Sequence, residues 1–589
     1  MSIPTKTVVP VPVSNLEIIN KYFNLPISYN SKIQELNPII IKDLELINTI
    51  EPDNNPIYQY IFQPKTCFGK KVMEKMPLLY TTDTVFLKDT QQLLKKYKRP
   101  DANLIFTYDC DPILKIWDEI KNDTGFKEKY HYIDWPYWEY LNKSEQFLEV
   151  MSIYNLAAPV MSLFIPVIIL IIPFFIIKMK GLDITVAEYT DILHTIASNH
   201  AIGKLFTQFN SVPLDEKLYL LASALFYVFS IYQNILICIK FNQNMIKIHE
   251  HLNEIRLYIE HTERTMDNLL AHTMKLKSYA NFNEDVKKNR EVLIEFKDKL
   301  NTIGPYKFNF TKMGELGVVL KCFYDIYNND IYNNAFLYSF GFHGYIDNIE
   351  GLISNINNKD IHFARFTSKM RKGKMVNSYY PTLIHNSPVK NTYKFSKNMV
   401  ITGPNASGKT TVLKSALINT IITQQMGCGF YDSATICPYK YIHCYLNIPD
   451  TSGRDSLFQA EARRCKDIID IINDGNNKKD THFCVFDELY SGTNPEEAVM
   501  SAFAFMKYLI KFKNVNCILT THFIDLCKHL ERTNGPSIEN CHMHTEKKGE
   551  SFEYKYMLKR GISDVRGGFK VLEDMDYPQE IINDTSNNQ

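Results

Sequence analysis

The chain has 589 residues, more than one compact core absorbs, so about two to four domains are expected. Its 66 Lys and Arg against 65 Asp and Glu exclude a surface given over wholly to coating nucleic acid or anionic lipid. The 12 cysteines show no C-x-x-C and no His/Cys cluster at ligand spacing, so they read as buried thiols of an intracellular protein rather than a zinc site or a disulfide framework.

The first residues, "MSIPTKTVVPVPVSN", lack the basic start and apolar core of a signal peptide. Residues 1–149 are expected to form an N-terminal domain whose fold the sequence does not disclose. Near its end Tyr130–Tyr140, "YHYIDWPYWEY", concentrates tyrosine and tryptophan. Such rings favour the headgroup level of a bilayer, and they equally suit an aromatic mini-core. No charge occurs from Val150 to Ile177, where about 20 apolar residues suffice to cross the hydrocarbon. Pro159, Pro166 and Pro173 would cripple a soluble helix there but are tolerated in membrane helices. A second uncharged run covers Leu218–Ile239, so residues 150–240 are expected to form a transmembrane hairpin with spans near 157–178 and 218–239. Two buried core helices are the alternative. Lys178, Lys180, Lys204 and Lys217 between the runs against Lys240, Lys247 and Arg256 after them leave the orientation open. A cytosolic nucleotide would place both termini in the cytosol.

Phe241, Met245, Ile248, Leu252, Ile255, Ile259, Thr262, Met266, Leu269, Thr273 and Leu276 then recur at alternating steps of four and three, an a/d seam. Residues 241–374 are expected to be a helical lever or core, with this seam as a strut of about 54 Å or, alternatively, as one helix of a bundle. The Asn-rich stretches 327–334, 355–360 and 473–480 read as surface loops. Lys369, Arg371, Lys372 and Lys374 form a basic cluster that suits phosphate contact or a solvated loop.

The strongest chemistry lies in "NMVITGPNASGKTTVLKSALINTI". An apolar β-type run leads into Gly403, Pro404, Asn405, Ala406, Ser407, Gly408, Lys409 and Thr410, then Thr411 and an amphipathic helix, which satisfies G-x-x-x-x-G-K-[ST] in its strand–loop–helix context. Backbone N–H groups at the helix start attract phosphates, Lys409 is placed for the β and γ oxygens, and Thr410 for Mg²⁺. Further on, "FCVF" ends in Asp487 and Glu488, two carboxylates at a strand end where open parallel sheets bind ligands. Asp487 is expected to hold Mg²⁺ and Glu488 to orient or deprotonate the attacking water. "CILTTH" puts His522 at another strand end, as a contact to the γ-phosphate or the water, or as a structural histidine.

These residues resemble the ATPase domain of the MutS proteins of DNA mismatch repair. The likeness rests on "ITGPNASGKTT", "DELYSGTNPEEA" (Asp487–Ala498), "ILTTHFIDL" and the tail "YMLKRGISDVRGGFKVLEDMDYPQEIIND", and covers roughly residues 375–585. It implies an α/β P-loop NTPase of the ABC-type MutS class at 375–589, with a C-terminal helix-turn-helix used to dimerise. "SGRDSLFQAEARR" is similar to a family loop whose serine enters the partner's ATP site, so Ser456 is implied to act in trans. "SYYPTLIHNSPVKNTYKF" resembles a lead-in whose asparagine, here Asn391, lies near the nucleotide. ATP, Mg²⁺ and a homodimer are implied with them. The departures are upstream: Phe147-Leu148-Glu149 stands at the mouth of the first apolar run, out of context for a mismatch-reading wedge, and nothing suits a DNA clamp. The expectation is therefore a membrane-anchored, two-span MutS-type ATP hydrolase whose ATPase domain faces the cytosol. Lipid is its partner and DNA an open one. The rivals are a soluble factor binding mismatched or branched DNA, an ABC-like membrane-remodelling ATPase lacking the Leu-Ser-Gly-Gly-Gln signature, and a nucleotide-sensing scaffold.

Overall fold

The computed structural model describes residues 19–99, 111–122, 125–181, 184–199, 213–305, 314–446, 456–474, 480–548 and 551–563, with a few isolated positions besides. Contacts divide the chain into two interleaved units. One holds Thr107–Arg264 and Arg290–Phe336, the other Pro12–Phe106, Thr265–Asn289 and Leu337–Gln589. The boundaries expected at 149, 240 and 374 do not mark these units. Stretch 1–149 is shared between the two, and so is 241–374, because the contacts that define the units join segments far apart in sequence.

The first unit is built on two long helices, α1 (Glu145–Met179) and α2 (Leu214–Thr273), the last residues of α2, from Thr265, being counted with the second unit. Ser144 caps α1 by accepting a hydrogen bond from the Phe147 N–H. The helices run antiparallel: Tyr227 meets Ser162, and Cys238 meets Leu156 further along. The first contact has a particular logic. Pro166 has no N–H, so the carbonyl of Ser162 four residues earlier lacks its helical donor, and the Tyr227 hydroxyl donates to it at 3.1 Å. Both helices are long and apolar enough to cross a membrane, α1 over Glu145–Phe164 and α2 within Leu214–Thr273. Only 6% of the most apolar window of α2 is buried, and Leu218, Leu225, Phe226, Val228 and Phe229 stand exposed. On α1, Val160, Leu163, Phe164, Ile172, Phe175 and Ile176 are exposed as well.

Beyond Lys240 the character of α2 changes without a break. Every seam residue from Phe241 to Thr273 is at most 3% exposed. The bare strut is thus corrected: the seam packs inside protein as a bundle helix does, continuous with the exposed run before it. In the first unit Trp117, Tyr258 and Phe296 gather on Phe336 at 5.7, 6.2 and 6.1 Å between ring centroids.

The second unit is organised by a six-stranded sheet. In chain order its strands are β1 (Asn398–Thr402), β2 (Tyr441–Tyr445), β3 (His482–Asp487), β4 (Val515–Thr521), β5 (Ile538–Lys548) and β6 (Ser551–Arg560). The spatial order is β2-β3-β4-β1-β5-β6, parallel except for the antiparallel edge strand β6. Helices α3 (Lys409–Met426), α4 (Leu457–Asn473), α5 (Pro495–Leu509) and α6 (Ile524–Asn534) accompany it. Strands β1, β3 and β4 are buried along almost their whole length and read as largely apolar runs because both faces are covered, whereas β5 and β6 are mostly polar. A second, five-stranded sheet lies beside it in the order Asn391–Lys394, Lys374–Ser378, Ser433–Ile436, His362–Phe366, Cys428–Gly429.

The N-terminal residues of this unit pack on the far end of α3 through buried amides. The Gln425 side chain donates to the Met76 and Leu79 carbonyls and accepts from the Tyr58 hydroxyl at 2.6 Å. Gln91 donates to the Gly427 and Ala364 carbonyls. The helix Asp330–Asn357 is pressed equally close: a Cβ on Gly351 would lie 1.7 Å from the Phe62 carbonyl oxygen. Asn355, at 0% exposure, donates to the Tyr60 and Ile61 carbonyls. Two Asn-rich stretches read as loops are therefore largely helix, 327–334 and the start of 355–360. Of their asparagines, Asn355 binds backbone instead of water. The third, 473–480, lies mostly outside the described residues.

Candidate functional site

Three neighbouring strands of the sheet, β3, β4 and β1, bring their C-terminal ends to one place. From β1, all of whose residues are buried, the chain turns through 403–408 into α3. Gly408 stands at the helix entry with φ +91°, a left-handed conformation open to glycine, and a Cβ there would approach Tyr556 to 3.1 Å. Ala406 takes the same region at φ 60° within a turn closed by the Ser407 hydroxyl, which donates to the Pro404 carbonyl at 2.7 Å. The loop's amides are thereby gathered at the N-terminus of an 18-residue helix, a concentration of positive potential suited to phosphate.

Lys409 is buried and folded back on this loop. Its Nζ donates to the Gly403 and Pro404 carbonyls at 2.9 and 3.1 Å and lies 3.5 Å from both Glu488 and the Asn405 side chain. Thr410 donates to Asp487 Oδ2 at 2.8 Å, and Thr520 donates to Asp487 Oδ1, so each carboxylate oxygen is fixed by one hydroxyl. A hydroxyl and a carboxylate oxygen side by side at the mouth of a phosphate loop are the hard donor set that Mg²⁺ prefers, and the residues fit that ion. Glu488 follows with φ 50°, its N–H donating to the Thr520 carbonyl at 3.0 Å. His522 Nδ1 lies 3.7 Å from the Glu488 carboxylate. The His522 hydrogen bond, with Lys409 adding to it against partial burial, holds the Glu488 carboxyl below its ordinary range.

A cavity of about 610 Å³ opens beside the loop, lined by Tyr379, Tyr380, Tyr393, Asn405, Lys409 and Thr411 among others. On the other side of the loop a cavity of about 880 Å³ is lined by Pro404, Glu488, Glu496, Met500 and His522. Asn405 and Glu488 belong to both. Either is large enough for a nucleotide-sized ligand.

Asn391 lines the first cavity, but its amide is engaged: Nδ2 donates to the Tyr556 carbonyl at 3.0 Å and Oδ1 accepts from the Leu558 N–H at 2.7 Å. It holds the β6 wall of the cavity, where Tyr556 has φ 53°. Ser456 lines neither cavity of its own chain. It is the exposed N-cap of α4, in a capping box with Gln459, and residues 451–455 before it lie outside the described residues. Of the tail compared with a helix-turn-helix, Tyr556–Arg560 is the end of β6, and 566–576 and 579–589 lie outside the described residues. Arg371, counted in the basic cluster, is spent on structure, donating to Asn516 Oδ1 at 2.7 Å and to the Val515 carbonyl at 3.0 Å.

One residue of consequence escaped the sequence reading. Glu461 on α4, 2% exposed, accepts from the Ser491 N–H and hydroxyl, both at 3.0 Å, and from the Gly492 N–H at 3.2 Å. It therefore fixes the loop that follows Glu488. A signal was present: Glu461, Cys465, Ile468 and Ile472 share one helical stripe, and a carboxylate in an apolar stripe demands buried partners. Tyr490 in that loop also has a left-handed backbone, φ 58°, with its N–H donating to the Tyr445 hydroxyl.

Comparison with known proteins bears on the same region. MutS domain V matches residues 399–589. The C-terminal third of the chain is thus similar to the MutS family in its domain V. Human MutS protein homolog 4 is 29% identical over 204 residues, 33% of this chain and 21% of that protein. The DNA mismatch repair protein MutS of Persephonella marina is 25% identical over 35% of this chain and 23% of its own length. Endonuclease MutS2 of Lachnospira eligens is 26% identical over 32% and 23% respectively. The chain thus covers about a fifth of each of these relatives, and the residues that MutS domain V matches, 399–589, carry the loop, the strand-end carboxylates and His522.

Proposed function

We propose that this chain is a membrane-anchored MutS-family ATPase that binds Mg²⁺-ATP at the strand-end site and hydrolyses it within a dimer. The observation that carries the reading is the meeting of Lys409, Thr410, Asp487, Glu488 and His522 at adjacent strand ends. Thr410 and Asp487 would hold Mg²⁺, which would supply positive charge against the phosphates. Lys409 exchanges the Gly403 and Pro404 carbonyls for phosphate oxygens. Glu488, kept deprotonated by His522 and Lys409, accepts the proton of the water that attacks the γ-phosphorus, and the β–γ bridging oxygen leaves with ADP. Ser456 of each protomer serves the other's site, and closure of the pair moves the helices that continue toward the lipid.

The membrane half of the reading is supported by the exposed apolar faces of α1 and α2, since soluble monomers rarely leave such large contiguous apolar surface uncovered. The relatives named for DNA mismatch repair make a soluble DNA-binding factor the rival. Salt-dependent binding of duplex or branched DNA, together with release of the chain by alkaline carbonate, would favour that rival. For the site itself, Glu488→Gln is expected to keep ATP binding and accumulate an ATP-bound dimer. Wild-type turnover in that variant would remove Glu488 from its role.

A further inference from the structure

We propose that the loop between Ile133 and Asn142 is an interfacial anchor whose aromatic tip lies in the headgroup layer of the membrane. This rests on the reading that α1 and α2 enter lipid, and extends it to a second, non-helical contact. The tip presents four rings to the outside: Trp135 is 64% exposed, Tyr137 82%, Trp138 53% and Tyr140 67%. Trp135 and Trp138 lie parallel with centroids 6.4 Å apart, and Tyr137 stands edge-on to Trp135.

These rings are held out by construction. Asn142, 0% exposed, closes the neck of the loop: its Oδ1 accepts from the Ile133 N–H at 2.9 Å and its Nδ2 donates to the Ile133 carbonyl at 2.8 Å. Lys127 ties Asp134 on one limb and Glu139 on the other, at 3.0 and 2.9 Å. Tyr132, just below the neck, is buried with its hydroxyl on the Leu320 carbonyl. The polar groups at the neck are thus paired while the large rings of the tip are not covered. This reverses the usual arrangement of a surface loop.

The position of the loop selects the occupant. Its base meets α2 where the uncharged run ends: the Asn244 side chain donates to the Lys129 carbonyl at 2.6 Å, and the His131 ring lies 6.0 Å from Phe241. Its other limb leads through Ser144 into α1, just ahead of the first uncharged run. The aromatic tip is therefore continuous with the end of the helix pair at which the charges begin. Indole and phenol groups pair an apolar body with a polar tip, which suits them to that boundary.

The chain has three tryptophans, and Trp117 is only 6% exposed, so intrinsic fluorescence reports on the loop. The full-length Trp117→Phe chain would be reconstituted into phosphatidylcholine vesicles brominated either near the headgroups or deep in the acyl chains. The expected result is a blue-shifted emission quenched more strongly by the shallow bromines, with the signal lost in Trp135→Ser/Trp138→Ser. Emission unquenched by either lipid, from a chain that resists carbonate extraction, would overturn the loop anchor while leaving the helix pair in place; this is also the outcome if a protein partner covers the rings. Release of the chain by carbonate would overturn the loop and the membrane reading together.

Discussion

Glu461→Gln tests whether the loop after Glu488 is held for catalysis. The wild-type carboxylate accepts three hydrogen bonds from Ser491 and Gly492. The amide keeps the shape and one acceptor oxygen but turns an N–H toward the Gly492 N–H or the Ser491 donors. The loss is about 1.5–3 kcal/mol, the value of a hydrogen bond to a carboxylate left unmade. That loss acts on a loop whose Glu488 and Tyr490 have φ 50° and 58°. Left-handed backbone costs roughly 1–2 kcal/mol per residue, so the loop gains by relaxing once the clamp weakens. With about 1.4 kcal/mol per factor of ten, kcat should fall about 10- to 100-fold. Lys409, Thr410 and Asp487 are untouched, so ATP affinity should change by less than about threefold. Steady-state hydrolysis and equilibrium binding of a fluorescent ATP analogue give the two numbers. Ser491→Ala should produce a smaller loss in kcat that is not additive with Glu461→Gln. An unchanged kcat in folded Glu461→Gln protein, or affinity falling in step with kcat, would refute the reasoning.

Ser456→Ala is expected to slow turnover in homodimers and to be complemented only by a wild-type partner in mixed dimers; full activity in a monomer would end the trans assignment. Gly351→Ala forces a Cβ against the Phe62 carbonyl, and overpacking of about 1–3 kcal/mol should lower the Tm measured by calorimetry, whereas an unchanged Tm would show that the helix can move away. Glu119 is raised by burial but held at about 2 overall by hydrogen bonds from Lys129, Lys247 and Tyr130. A carboxyl depressed in the folded state adds stability above its ordinary value, 4.5, and loses it as the pH falls toward 2. Glu119→Gln should therefore be less stable than wild type at pH 7 and equal to it near pH 2, checked by thermal unfolding across that range.

The candidate nucleotide site was legible because each part of it is contiguous: residues 403–411 and the pair Asp487–Glu488 carry their own strand, loop and helix context. The seam from Phe241 was legible as periodicity, and the uncharged runs as composition. What could not be read was what covers what. Gln91, Gln424, Gln425, Asn348 and Asn355 look like surface residues in sequence, yet they are buried amides that dock the N-terminal residues onto the rest of their unit. A lone polar residue gives no sign of its distant partner, so the interleaving of the two units was invisible. Glu461 did give a sign, as a carboxylate in an apolar stripe, but not the identity of its partners, and Asn391 lines a cavity beside the loop with its amide engaged by the β6 wall.

The proposed function needs both a phosphate-binding site and a chain held in lipid, and one measurement addresses both. Full-length protein is reconstituted into vesicles, irradiated with azido-ATP and Mg²⁺, and floated through a density gradient. Wild type should float and carry the label, while Lys409→Ala floats unlabelled. A chain that stays at the bottom of the gradient, or a Lys409→Ala chain labelled as strongly as wild type, would contradict it.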